Sequence, residues 1–174
     1  MTWPESSSEL STTTWRATSS VRAILRRAIV RVTRGNHTGK IWLKDLYENP
    51  ALDIALRPGD QIVYSTPLYG GTETLIRKIL PEWGIGGEPF ADGLAPAQIE
   101  AALEAAAARG KVSLVYIETP ANPTNALVDV EAVTAARDAA FTGKTKPAIA
   151  IDNTFLGPLW QQPIKQGADL VVYS

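Results

Sequence analysis

Two short apolar runs constrain the fold of this sequence more than any other feature. Residues 147–151 (PAIAI) stop abruptly at Asp152, and residues 170–173 (LVVY) lead directly into Ser174. Both runs are too short for helices and contain β-branched residues, so they predict strands buried on both faces. In open α/β sheets, ligands bind outside the carboxyl ends of parallel strands. We therefore expect Asp152 and Ser174 to lie where such a sheet holds a ligand.

The same pattern recurs upstream, where predicted strands alternate with predicted helices. Residues 61–65 and 112–117 are further apolar strands, and helices are predicted at 73–83, 95–109, 130–140 and briefly at 162–166. Gly84 and its neighbours are interpreted as a helix stop, because they lack the context of a dinucleotide fingerprint. Continuous apolar strands between helices predict an α/β fold with a mainly parallel sheet. Right-handed crossovers would bring the strand ends to one edge.

Composition excludes several kinds of site. The 174 residues include no cysteine and one histidine, His37, which is expected in an exposed turn-like loop at 35–39. There is thus no material for a disulfide, a Cys-ligated zinc site or a Cys nucleophile, and almost none for a Ser-His-Asp triad. A net charge of -1 gives no global case for nucleic acid or membrane as partners. No apolar run approaches the about 20 residues of a membrane span, and the lack of cysteine suits an expected cytoplasmic location.

Residues 1–57 differ in character from residues 58–174, and we predict a boundary between them. The first 14 residues are rich in Ser and Thr, which predicts partial disorder, and acidic residues are absent from Leu10 through Lys44. Apolar residues between Val21 and Val32 follow helical amphipathic spacing among several arginines. Three interpretations of this basic segment stay open: a transit peptide, a helix that contacts a membrane or nucleic acid, and extraneous sequence, for example from a shifted reading frame.

Four clusters lie on the predicted common edge of the sheet. They are residues 69–72 (YGGT), 118–122 (ETPAN), 152–154 (DNT) and Ser174. Together they offer an aromatic ring, small residues that open a helix, a carboxylate at a buried strand end, amides and a hydroxyl. Such a set suits a flat, charged heteroaromatic ring: one face stacked, a ring nitrogen paired with a carboxylate, and polar substituents hydrogen-bonded.

These clusters belong to five motifs that resemble the pyridoxal-phosphate-dependent enzymes of cysteine and methionine metabolism. The motifs are PGD at 58–60, LYGGT at 68–72, IETPANP at 117–123, DNTF at 152–155 and GADLVVYS at 167–174. The family includes cystathionine γ-synthase, the cystathionine lyases and methionine γ-lyase. The resemblance implies an incomplete large domain of fold type I, aspartate aminotransferase-like. It also implies elimination or replacement at the β or γ carbon of sulfur amino acids.

The resemblance implies a role for each matching residue on the first two loops. Tyr69 would stack on the cofactor ring and take part in proton handling near the amino-acid substrate. Asn122 would hydrogen-bond the phenolic oxygen of the cofactor. Glu118, in the same motif as Asn122, would support the site without touching the cofactor, with an ordinary strand-end charge as the open alternative.

The remaining matches concern the ring nitrogen and the phosphate. Asp152 would pair with the pyridine nitrogen, because a carboxylate beside that nitrogen favours its protonated form, which is the electron sink of pyridoxal chemistry. Thr154 would line the ring, and Ser174 would bind the cofactor phosphate.

The sequence also departs from the family pattern. The Schiff-base lysine of the family's S-x-T-K motif lies beyond Ser174, so we expect this chain alone to be inactive and to bind pyridoxal phosphate weakly without a covalent bond. Gly157 stands where many members have serine, and Tyr173 where many have histidine. The resemblance implies homotetramers for full-length relatives and leaves the assembly of this chain open. The alternative function is a non-catalytic fragment or targeting module with a basic N-terminal helix.

Overall fold

The sheet is the frame of the molecule. The computed structural model describes the backbone of residues 29–34 and 37–42 and the whole of residues 56–173; Ser174 lies outside the described residues. The strands of this part are β1 (Ile29–Arg34), β2 (His37–Trp42), β3 (Asp60–Ser65), β4 (Gly86–Phe90), β5 (Lys111–Glu118), β6 (Ala148–Asp152) and β7 (Leu170–Val172).

Within the described ranges these strands form one sheet in the order β2-β1-β7-β6-β5-β3-β4. Strands β3 to β7 run parallel to one another, whereas β1 is antiparallel to both β2 and β7. Glu118 pairs with Asp152, and Asp152 with Val172, so β5, β6 and β7 end level with one another. The predicted α/β fold with a mainly parallel sheet, and its common carboxyl edge, are confirmed.

Helices follow the parallel strands. Helix α1 (Gly70–Thr74) runs directly into a π-helical segment (Leu75–Ile79) and a 3-10 segment (Leu80–Trp83). Gly84 ends this stretch with a φ of 75°, a left-handed conformation that glycine adopts without steric cost. Helices α2 (Pro96–Arg109), α3 (Val130–Ala140) and α4 (Gly157–Trp160) follow, and a 3-10 turn (Pro163–Gln166) precedes β7.

The two faces of the sheet are covered differently. On one face, α2 and α3 pack against a buried layer of aliphatic side chains from β3, β5 and β6, such as Val63, Ile117 and Ile151. The opposite face carries Ile62 and Tyr64 under the helical stretch that starts with α1. Because successive strand residues alternate between faces, Tyr116 and Glu118 lie on this second face, toward the carboxyl end of β5.

A buried arginine fixes the start of β6 and β7. The Arg137 guanidinium donates to Asp169 Oδ2 at 2.8 Å and to the carbonyl of Pro147 at 3.4 Å. The same Asp169 oxygen accepts the backbone N–H of Ile149 at 2.8 Å. This network ties α3 to the amino end of both strands, so it contributes to the alignment of their carboxyl ends.

Three predictions made from the sequence differ from the structure. Ile29 and Val32 belong to a β-hairpin strand, so the predicted helical spacing is wrong at these positions; its earlier part lies outside the described residues. His37 opens β2 and does not sit in a loop. Strand β4, which pairs with β3, was not predicted at all.

Candidate active site

A cleft of about 200 Å³ opens at the carboxyl ends of β5 and β6. Its lining consists of Tyr69, Glu118, Pro120, Asn122, Asp152, Thr154 and Phe155. Five of the residues predicted from the sequence therefore lie together around one cleft. Ser174, the sixth, lies outside the described residues. Pro120 and Phe155 were not predicted, although both stand inside the motifs that the sequence singled out.

Tyr69 lies at the position before α1 and presents its ring to the cleft. Tyr69 is 54% exposed. A Cβ on Gly71 would lie 3.0 Å from a ring carbon of Tyr69, so glycine there lets the ring rest close to the helix backbone. The ring face is thus available for stacking by a flat ligand.

Glu118 connects the two loops that bear Tyr69 and Asn122. The residue is 4% exposed, and its Oε2 accepts the backbone N–H of Tyr69 at 2.7 Å. Its Oε1 accepts the backbone N–H of Asn122, also at 2.7 Å. The hydroxyl of Ser65 accepts the N–H of Glu118 at 3.2 Å and holds the strand end itself. Charge-assisted bonds of this length are the stronger ones in proteins.

The loop that carries Asn122 is closed on itself. The Ala121 N–H donates to the carbonyl of Ala126 at 2.9 Å, and the Asn125 N–H donates to the carbonyl of Ala121 at 2.7 Å. Together with Glu118, these bonds hold the Asn122 backbone on both sides. Its amide group is therefore presented to the cleft from a fixed loop.

Asp152 ends β6 and is half-buried beside Glu118, its partner in the sheet register. Its Oδ1 accepts the backbone N–H of Thr154 at 2.9 Å, which turns the chain at the strand end. Thr154 itself is exposed along the cleft wall. A carboxylate held in this way can receive a cationic ring nitrogen.

Tyr116 adds a neutral phenol beneath the carboxylates. Burial raises the pKa of Tyr116 from 10.0 to about 12; the nearby charges of Asp152 and Glu118 act in the same direction, and a side-chain hydrogen bond from Thr72 opposes them. The phenol therefore stays protonated at neutral pH.

Within residues 29–34, 37–42 and 56–173, no helix has the length and hydropathy that a membrane span requires. Among the same residues, no group of three or more His, Cys, Asp or Glu side chains could hold a metal ion.

The fold and the cleft together define a class: an α/β domain whose parallel sheet presents an aromatic face, an amide and a carboxylate at its carboxyl edge. The family model described as Cys/Met metabolism PLP-dependent enzyme matches residues 49–174. The chain belongs to this family, whose cofactor is pyridoxal phosphate.

Individual relatives agree with the family match. Cystathionine gamma-synthase of Mycobacterium bovis is 32% identical over 160 residues, which cover 91% of this chain and 38% of the relative. L-methionine gamma-lyase of Pseudomonas deceptionensis is 38% identical over 119 residues, or 68% of this chain and 27% of the relative. The crystal structure of metB from Corynebacterium glutamicum is similar with a TM-score of 0.60 and 34% identity, covering 70% of this chain and 29% of that one.

The chain spans 38% of the length of the cystathionine gamma-synthase relatives that it matches. An alignment over 91% of the chain includes part of the first 57 residues as well as the later ones. The boundary at residue 57 stays a prediction.

Proposed function

We propose that this chain supplies the ring-binding part of the pyridoxal phosphate site of a cystathionine γ-synthase-like enzyme. The reaction class is elimination or replacement at the β or γ carbon of a sulfur-containing amino acid. The observation that carries the proposal is the joint placement of Tyr69, Asn122 and Asp152 around one cleft, in a chain of this family. The family also favours homotetramers for full-length relatives, and the absence of cysteine from this chain suits a cytoplasmic location.

The donor set of the cleft fits the cofactor. An exposed aromatic face, a half-buried carboxylate and an amide are the groups that a flat pyridinium with a phenolic oxygen requires. When bound, pyridoxal phosphate supplies the electron sink that weakens bonds at the substrate carbons. Tyr69 would stack on the ring, Asn122 would hydrogen-bond its phenolic oxygen, and Ser174 would hold the phosphate.

Asp152 is proposed to control the charge of the ring. Its carboxylate would accept a hydrogen bond from the N–H of the ring. It would favour the protonated form of the ring nitrogen, because an opposite charge at hydrogen-bond distance stabilises the cation. The Thr154 N–H fixes one oxygen of Asp152, so the carboxylate cannot rotate freely away from the ring. Tyr69, half exposed at the mouth, would handle a proton of the amino-acid substrate. Thr154 would cover the ring edge.

We infer that the chain by itself does not catalyse the reaction. Among the described residues, no lysine lines the cleft, and Lys165 lies in the turn Pro163–Gln166. The chain would then bind pyridoxal phosphate without a covalent bond. Treatment with borohydride followed by mass spectrometry tests this; a specific lysine adduct that requires Asp152 would contradict it.

The decisive experiment compares the chain with Asp152→Asn. Equilibrium dialysis against pyridoxal phosphate should show binding to the original chain and a dissociation constant about tenfold higher for Asp152→Asn, since a hydrogen bond to a charged group is lost. Asp92→Asn, an exposed carboxylate outside the cleft, is the matched control and should bind as the original chain does. Equal binding by Asp152→Asn and the original chain would refute the proposed function.

A further inference from the structure

Two apolar residues of the cleft have no part in the proposed function. Pro120 and Phe155 line the cleft together with Asn122 and Asp152. Phe155 is 50% exposed, so a large part of its ring is open to a ligand. A ligand that fills the cleft therefore meets apolar surface as well as the amide and the carboxylate.

The turn that carries Phe155 is fixed by hydrogen bonds on both sides. Before it, the Thr154 N–H donates to Asp152 Oδ1 at 2.9 Å. After it, the Gly157 N–H donates to the carbonyl of the fully buried Asn153 at 2.8 Å. The amide nitrogen of Asn153 donates back to the carbonyl of Gly157 at 3.1 Å. The exposed position of Phe155 is therefore set by a closed turn.

Pro120 lies in the neighbouring loop, at the end of the adjacent strand. Glu118 of β5 and Asp152 of β6 are partners in the sheet register. The next residue, Thr119, still donates its N–H to the carbonyl of Asp152 at 3.5 Å. The loop with Pro120 and the turn with Phe155 therefore leave the sheet side by side, from strands that are about 4.8 Å apart.

The connectivity of the pyridoxal ring shows which ligand group would meet these two residues. The methyl group of the ring is on C2, between the nitrogen N1 and the carbon C3 that bears the phenolic oxygen. Asp152 is proposed to hold N1 and Asn122 the phenolic oxygen, so the ring edge between these two residues carries the methyl group. Pro120 stands two residues before Asn122, and Phe155 three residues after Asp152.

We propose that Pro120 and Phe155 form an apolar subsite for the methyl group of pyridoxal phosphate. This inference rests on the proposed function and deepens it. The polar contacts of Asn122 and Asp152 orient the ring, and the apolar contact between them favours a ring that carries a methyl group at C2. Contact with the methyl group would remove apolar surface of the ligand and of Phe155 from water, which is favourable.

The test compares pyridoxal phosphate with its 2-nor analogue, in which hydrogen replaces the methyl group. In equilibrium dialysis of the full chain, the dissociation constant should be about fourfold lower for pyridoxal phosphate, the weight of one buried methyl group. Phe155→Ala should reduce this ratio to below about twofold, because most of the apolar contact is lost. Phe155→Leu, which keeps an apolar side chain, should retain most of the ratio.

The ratio isolates the methyl contact from two other effects. A general loss of stability in a variant weakens both ligands alike and leaves the ratio unchanged. The effect of the methyl group on the basicity of the ring is the same for every variant, since each one meets the same two ligands. Leu94→Ala is the control: Leu94 is 63% exposed and is not a lining residue of the cleft, so the ratio should stay that of the original chain.

Equal binding of the two ligands by the original chain would overturn the subsite and leave the proposed function standing. An unchanged ratio in Phe155→Ala would do the same. The comparison on the original chain needs no variant, so it still decides if Phe155→Ala fails to fold. Failure of the original chain to bind pyridoxal phosphate at all would overturn the proposed function, and the inference with it.

Discussion

The buried carboxylate of Glu118 accepts the backbone N–H of Asn122 at 2.7 Å, at the point where β5 gives way to the next loop. Its second oxygen accepts the backbone N–H of Tyr69, also at 2.7 Å, although Tyr69 lies in a loop far away in the sequence. The Glu118 side chain thus fixes the separation between Tyr69, proposed to stack on the cofactor ring, and Asn122, proposed to hydrogen-bond the phenolic oxygen of the cofactor. Glu118 is buried because it has two backbone donors to satisfy it, as a buried charge requires.

Glu118→Gln should destabilise the fold and loosen the cleft. The amide keeps the size of the side chain but turns one acceptor into a donor that faces a backbone N–H. We expect the free energy of unfolding to fall by about 2 kcal/mol, the range for bonds to a charged group, as measured by urea denaturation. Glu104→Gln, an exposed glutamate on α2, is the control. Equal stabilities for the two variants would show that the bridge contributes nothing.

The ion pair of the buried Arg137 with Asp169 should contribute more to the free energy of unfolding than the surface pair of Arg77 with Glu73. Arg137→Met leaves the carboxylate of Asp169 without its buried partner, and we expect a loss of about 3 kcal/mol in unfolding free energy. Arg77→Met breaks a surface pair with Glu73, in which the two side chains are 59% and 37% exposed, and should change stability little. Urea denaturation of both variants checks the contrast. It would be contradicted by a similar loss in each.

Alkaline pH should destabilise the chain through Tyr116. Its pKa is raised to about 12, mainly by burial, so the folded state keeps a proton that the unfolded state gives up above 10.0. The stability is complete below pH 10 and is lost as the pH rises toward 12. Unfolding free energy measured from pH 9 to 12 should fall more gently in Tyr116→Phe. Tyr64, whose pKa burial also raises, contributes in the same direction and remains in both proteins.

An apolar patch beside the cleft should promote self-association. Leu159 and Trp160 on α4 are 79% and 78% exposed, and Phe155 at the cleft is 50% exposed. Replacing both α4 residues by serine should raise the monomer fraction in sedimentation velocity, with stability changed by less than about 0.5 kcal/mol. Leu94→Ser, 63% exposed but outside the patch, serves as control. An unchanged monomer fraction would count against the patch as a cause of association.

The parallel core was predictable because its strands are continuous apolar runs between well-defined helix signals. The predicted helix 130–140 matches α3 (Val130–Ala140), where Asp129 caps the first turn by accepting the N–H of Ala132 at 3.0 Å. Strand β4 was missed because GGEPF contains two glycines, a proline and no β-branched residue. Its place in the sheet comes from pairing with β3, a tertiary effect that no local propensity records.

The hairpin was misread for a different reason. In residues 29–34 (IVRVTR), Ile29 and Val32 fit helical spacing, while Val30 and Val32 on either side of Arg31 fit strand alternation, so periodicity alone does not separate the two structures. The β-branched content favoured a strand, and pairing with β2 and β7 stabilises it. In the cleft, motif residues were predictable one by one. The bridge by Glu118 was not, since it depends on two backbone groups from loops distant in sequence.

The parallel pairing of the strands links ligand binding at the cleft to the completion of folding. The walls of the cleft come from the ends of strands that are joined only through long crossovers, so the complete cleft cannot assemble from a local piece of chain. Such non-local contacts close late, after the loop entropy has been overcome. Binding of pyridoxal phosphate should therefore require a completed fold. The time course of its binding during refolding would show when β5 and β6 pair in their native register.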